Sequence, residues 1–185
     1  MGTILHKTTT ENIWQVECWK KGACFKNGKV KKYAEQNREQ WLRWSDEFPN
    51  IVVTEGLNKY LDATLKTGLA SPLWYVGLKS TGATAGTDTL ASPGAWTETT
   101  NTFTGSATRV GWTPGSISAG SVSNTSSKAA FVISSPGDVY GAFLCSVATG
   151  TSGTLLGVGN FTVSPRAVLA GDTLNVTVTC TQTAA

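Results

Sequence analysis

LNVTVTC, residues 174–180, decides the fold. Leu174, Val176, Val178 and Cys180 fall on one side, and Asn175, Thr177 and Thr179 on the other. Period-two alternation in a run rich in β-branched residues marks a strand with one buried and one wet face. LAGDT (169–173) supplies the turn that leads into it. WYVGLK (74–79) repeats the pattern, with Trp74, Val76 and Leu78 set against Tyr75, Gly77 and Lys79. KAAFVISS (128–135) and VYGAFLCSV (139–147) are denser apolar runs, as expected of strands covered on both faces, and SSPGD (134–138) is the turn between them. Roughly seven or eight short strands separated by Gly/Ser/Thr turns make a closed barrel or, as expected here, a β-sandwich, jelly-roll or immunoglobulin-like.

The segment before the strands has a different character. Lys, Glu, Asn and Gln dominate up to about residue 67. VVTEGLNKYLDATLKTG (52–68) predicts a helix: Thr54 as N-cap, Glu55 in the first turn, Leu57, Tyr60, Leu61 and Leu65 at helical spacing, and Gly68 as the stop. Its apolar stripe is expected to pack over an open end or edge of the sheet. Further upstream, IWQVECWK (13–20) alternates, and LRWSDEFPNIVV (42–53) is expected to return antiparallel to it. The stretch between them carries the turn dipeptide Asn27-Gly28 and reads as an inserted hairpin, with a short helix in YAEQNREQWLRW (33–44). Residues 1–12 are expected to be a flexible arm reaching roughly 40 Å when extended. The expected division is therefore an arm and hairpin extension over 1–53, then a helix plus β-sandwich over 54–185.

Composition sets the function classes. The chain has 185 residues, 40% hydrophobic and 15% charged, which is globular. Residues 1–66 hold 11 Lys/Arg against 8 Asp/Glu, whereas 67–185 hold 4 against 4, so the net charge of +3 lies in the first third. So slight a surplus does not make a nucleic-acid surface, which needs cations clustered on one face. KNGKVKK (26–32), flanked by Phe25 and Tyr33, reads instead as a solvated tip or a contact to an acidic protein surface. No apolar run reaches bilayer length, and MGTILHKTTTENIW has no apolar core of a secretory signal, so synthesis in a reducing cytosol and no membrane partner are expected. The Asn-x-Ser/Thr triplets at 124, 160 and 175 then reflect only abundant Ser and Thr.

Catalysis needs an acid, base, nucleophile or metal poised among partners. The one histidine, His6, lies near the start of the chain, which argues against Ser/His/Asp and Cys/His arrangements. Cys18 and Cys24 are separated by five residues, WKKGA, a spacing that fits neither zinc nor redox motifs, and Cys145 and Cys180 fall within strands. Buried free thiols are expected, with no metal and no cofactor. Asp138 and Asp172 each follow a glycine in a turn, where the carboxylate bonds its own backbone. GVGN (157–160) lacks the strand–loop–helix order of a phosphate loop. The expectation is a protein that is not an enzyme.

NIVVTEGLNKYLDATL (50–65), WYVGL (74–78), AGTDTLASPGAWTE (85–98), VGWTP (110–114) and AGDTLNVTVT (170–179), in that order, resemble a group of small structural proteins of tailed bacteriophages. The resemblance covers about residues 41–181, with 20–40 an insertion relative to it. It implies a virion component made in the host cytoplasm. In outline the chain resembles capsid decoration (cement) proteins, which implies the major capsid protein as partner and self-association as a dimer or trimer. Lys20, Lys21, Lys26, Lys29, Lys31 and Lys32, with Phe25 and Tyr33, would then meet the capsid or a neighbouring copy. A tail, fibre-base or head-to-tail component is a second structural reading. A carbohydrate-binding host-surface module is a third, and it would need exposed aromatics, for which Trp96, Trp112 and Tyr75 are the candidates. Trp74 shares its strand face with Val76 and Leu78 and is expected to be core.

Overall fold

A computed structural model describes residues 8–66, 72–99 and 109–184. In chain order the elements begin with β1 (Thr8–Trp19), α1 (Lys32–Gln36), α2 (Arg38–Trp41), β2 (Leu42–Pro49), β3 (Ile51–Val52) and α3 (Thr54–Leu65). Then come β4 (Tyr75–Thr81), β5 (Thr97–Glu98), β6 (Val110–Gly111), β7 (Ser121–Ser123), β8 (Ala129–Val132) and β9 (Gly137–Val139). The last are β10 (Gly141–Cys145), β11 (Leu155–Asn160), β12 (Arg166–Val168) and β13 (Thr173–Ala184). Residues 1–7 of the expected arm and Gly68, the expected helix stop, lie outside the described residues.

The protein is a mainly β, antiparallel sandwich. One sheet runs β2-β1-β13, with β7 and β8 sharing the far edge of β13; the other runs β3-β11-β10-β4, with β5 and β6 sharing the far edge of β4. A third, two-stranded sheet pairs β12 with β9. The alternation of 174–180 is realised as expected: Leu174, Val176, Val178 and Cys180 face inward. They meet Trp14, Val16 and Cys18 of β1, and the second sheet's Val76, Leu78, Ala142, Leu144 and Leu156. Trp74 packs against this core, in line with its expected place.

β1 is not an appendage. It lies between β2 and β13 and pairs with β13 along its whole length, from Thr8 opposite Ala184 to Trp19 opposite Thr173. Residues 8–12, expected in a flexible arm, therefore belong to a sheet strand. The segment 42–49 returns antiparallel to β1, as its sequence indicates.

The outer faces differ from expectation. β4 is buried on both faces, not one: Gly77 and Lys79 on its outer side are as buried as Val76 and Leu78 on its inner side. The cover is the stretch 82–99, whose Leu90 and Trp96 form a second core with Val53, Phe143, Cys145, Leu155 and Val158. β10 is covered on both faces, as its apolar run suggests. β8 is not, and its burial alternates. The first sheet is also covered outside. Residues 20–41 fold back over it and build a third small core from Trp19, Ala23 and Ala34, with Val30, Trp41 and Leu42 against them.

Candidate interaction surface

The basic segment is folded down, not held out. Asn175 of β13 donates its Nδ2 to the Gly28 carbonyl at 2.9 Å, and a side chain at Gly28 would overlap Ala130. With φ at +79° this position favours glycine, and Gly28 is a buried anchor on the sheet, while Asn27, Lys26 and Lys29 around it stay exposed. Lys20 donates to the Gln40 carbonyl, while Lys31 and the Tyr33 hydroxyl both donate to the Gly22 carbonyl, at 2.9 and 2.7 Å. Lys31 also stands 5.5 Å from the Phe25 ring centre. The Lys21 stem lies over Gly171. Lys20, Lys31 and Tyr33 thus hold the segment's own shape, and the exposed Lys21, Lys26, Lys29 and Lys32, with half-exposed Phe25, form its outward surface.

Beneath the segment, charged residues are paired. Glu17 accepts from Arg38 at 2.8 Å and Lys128 at 2.9 Å, and the Arg38 guanidinium lies 5.0 Å over the Trp19 ring. Burial alone would raise the Glu17 pKa, but the bonds from Arg38 and Lys128 hold it below the ordinary carboxylate value. Asp172 accepts from Arg43 in a fork at 2.7 and 3.1 Å and from the Leu169 backbone at 2.8 Å, which includes the turn bonding its sequence suggests. The buried Cys18 thiol points at the same carboxylate; burial, and then the negative charge of Asp172, push its pKa up, away from nucleophilic chemistry. All four cysteines are free: Cys18, Cys145 and Cys180 buried, Cys24 half-buried.

Of the proposed ligand aromatics, Trp96 is buried and Tyr75 and Trp112 are half-buried. Trp96 is 3% exposed, donates its Nε1 to Asp88 at 3.0 Å and packs tilted against the Phe143 ring with centres 5.1 Å apart, so it offers no face to a sugar. A carbohydrate-binding role needs it exposed; the stretch 82–99 instead lays it on the sheet. Tyr75 is half-buried against the same second core. Trp112 is half-buried against the main core, and its backbone N–H bonds to the Trp74 carbonyl at 2.8 Å.

What the sequence reading missed lies at α3. The helix falls where expected, but its rotation differs. Glu55 accepts backbone N–H bonds from Leu90 (3.2 Å) and Leu155 (2.8 Å), and Gly56 sits so close to Leu156 that a Cβ would collide with its carbonyl. Those two contacts aim Tyr60 at the core and turn the leucines outward, with Leu57, Leu61 and Leu65 exposed by 41, 55 and 77%. Their i, i+4, i+8 spacing aligns them as one stripe. Beside the helix an apolar recess of about 410 Å³ opens between the two sheets, lined by Tyr60, Trp74, Trp112, Val122, Leu156 and Cys180. Leu73 and Ile117, each 77% exposed, stand at its rim. The stripe itself was visible in the sequence; the anchors at Glu55 and Gly56, which decide its direction, depend on partners far along the chain.

No family model, curated protein or solved structure matches the chain.

Proposed function

We propose that this protein is a virion structural protein, a decoration (cement) protein that binds and stabilises a phage head. The observation that carries the reading is the outward leucine stripe of α3 with Leu73 and Ile117 beside it. Large aliphatic side chains exposed together on a rigid body mark a surface that another protein covers. The body suits that task, since its main core joins both sheets and each sheet has its own outer cover. The resemblance over about residues 41–181 supplies the kind of partner, the major capsid protein.

Two contacts follow, at different places on β13. Gly28 meets Asn175, and Cys180 lines the recess five residues further on, about 17 Å at the rise of a strand. The leucine stripe would bury against the head, and Lys21, Lys26, Lys29 and Lys32 would meet acidic surface of the capsid or of a second copy in a dimer or trimer. Repetition over the head makes weak single contacts sufficient.

Gold-labelled antibody against the protein, applied to intact virions under the electron microscope, tests this. Label spread over the whole head is expected. Label confined to one vertex or to the tail would replace decoration with a connector or fibre-base role, and unlabelled particles would end the virion reading.

A further inference from the structure

Lys79 is the residue that the sequence places worst and the structure explains least as mere packing. It lies on the outer face of β4, where alternation predicts solvent, yet it is fully buried. The ladders show where its amine goes. Gly141 of β10 is flanked by Lys79 on one side and Asn160 of β11 on the other. β4 and β11 are second neighbours, about 9–10 Å apart across β10. Gly141 has no side chain on that face, so nothing stands between the two. The Lys79 Nζ reaches across and donates to the Asn160 Oδ1, and also to the Gly82 carbonyl at 3.1 Å.

The surroundings are those of an amine and not of a salt bridge. Among the described residues no carboxylate lies within ion-pair distance of Nζ; the Trp96 ring centre is 5.6 Å away. Burial pushes the Lys79 pKa down to about 8, against the opposing pull of the Asp88 charge. Asp88 is itself buried and fixed by N–H bonds from Trp96 and Ala85, so the field it exerts at the amine is fixed in direction. A lysine with little water, only neutral acceptors and an amide carbonyl at hand has the nucleophile and electrophile of an acyl transfer. The sheet holds them together, so the reaction is intramolecular and needs no further reagent.

We propose that Lys79 and Asn160 join in an intramolecular isopeptide bond that clamps β4 to β11 across β10. The neutral ε-amine attacks the Asn160 Cγ; the new C–N bond forms, the Cγ–Nδ2 bond breaks, and Nδ2 leaves as ammonia. Starting from the ammonium form, the two protons lost by Nζ depart on the leaving nitrogen, giving ammonium and a neutral secondary amide. No oxidant or metal enters the balance. Asn160 is only partly buried, so the ammonia has a way out. The product carries no charge, which removes the cost of holding a cation in this layer.

The full-length chain tests this by intact mass spectrometry under denaturing conditions. A mass about 17 Da below that of the sequence, one ammonia, is expected. Tryptic digestion should then give residues 67–109, uncut after Lys79, joined to residues 129–166. Asn160→Ala should restore the sequence mass and the cut after Lys79. An unmodified wild-type mass overturns the proposal, whatever the variant does. So does a loss of ammonia without the joined peptides, as a succinimide would give. Both readings come from the wild-type protein and stand apart from any result on virions.

Discussion

The outer faces of the two sheets are covered in different proportions of apolar and polar contact. On the first sheet, Glu17 and Asn175 point out from β1 and β13, and the cover, residues 20–41, meets them with the Arg38 ion pair to Glu17 and with the Gly28 carbonyl, which accepts from Asn175. On the second, Phe143, Leu155 and Val158 point out, and the cover, residues 82–99, meets them with Leu90 and the Trp96 indole. Apolar cover gains with each square ångström buried; polar cover roughly exchanges bonds to water for bonds within the protein. The two layers should therefore differ in what holds them: close packing in one, and in the other a smaller core around Trp19 joined by ion pairs and hydrogen bonds.

The largest effect is expected from Trp96→Ala. It removes a buried aromatic that packs against Phe143 and bonds Asp88, and it should cost about 3–5 kcal/mol, measured by urea unfolding followed with far-ultraviolet circular dichroism. A loss under about 1 kcal/mol would mean that 82–99 is a loose flap and that the second core is not a core. Salt should change the result little, since dispersion and burial dominate there.

A middling effect belongs to Glu17 on the other cover. Its pKa is held below the ordinary 4.5, so its contribution is fully present above that value and is lost as pH falls through the lowered one. Asp46, also held low by Arg166 and by bonds from 162 and 163 against a burial penalty, works in the same sense. Glu17→Gln should cost about 0.5–1.5 kcal/mol near neutrality, at the lower end because Arg38 is about half exposed. The variant should also lose less stability than wild type between neutral pH and acid. Stability curves of equal slope would show that the cover does not depend on this charge, and the contrast between the two faces would fail.

These covers also mark how far the sequence can be read. Alternation placed Val176 inward and Thr177 outward correctly, because the strand period is a local property of the backbone. It cannot say whether the outer side is wet. Thr177 and Lys79 are buried by residues brought in from elsewhere in the chain, and the lysine's partner Asn160 is 81 residues away. The leucines of α3 fail for the same reason. Helical spacing identifies a stripe, but Glu55 and Gly56, fixed by Leu90, Leu155 and Leu156, decide which stripe faces in. Trp96 and Trp112 look alike in the sequence, each among small residues, and only long-range packing separates the buried one from the one at the recess.

The smallest effect on stability, and the sharpest test of function, lies in that leucine stripe. Leu61→Lys puts a charge where 55% of the side chain is already in water, at a position whose helix is held by Glu55, Gly56 and Tyr60 on its other side. Unfolding free energy should move by no more than about 0.5 kcal/mol. Co-sedimentation with heads should nonetheless fall at least tenfold, because a charge at the centre of a covered apolar patch must lose its water to bind. A matched change on the basic cover, Lys29→Glu, should weaken binding less and mainly at low salt. Should the two variants trade places, with Leu61→Lys silent and Lys29→Glu decisive, the capsid contact would belong to the polar cover. The leucines would then be the face that one copy offers to the next.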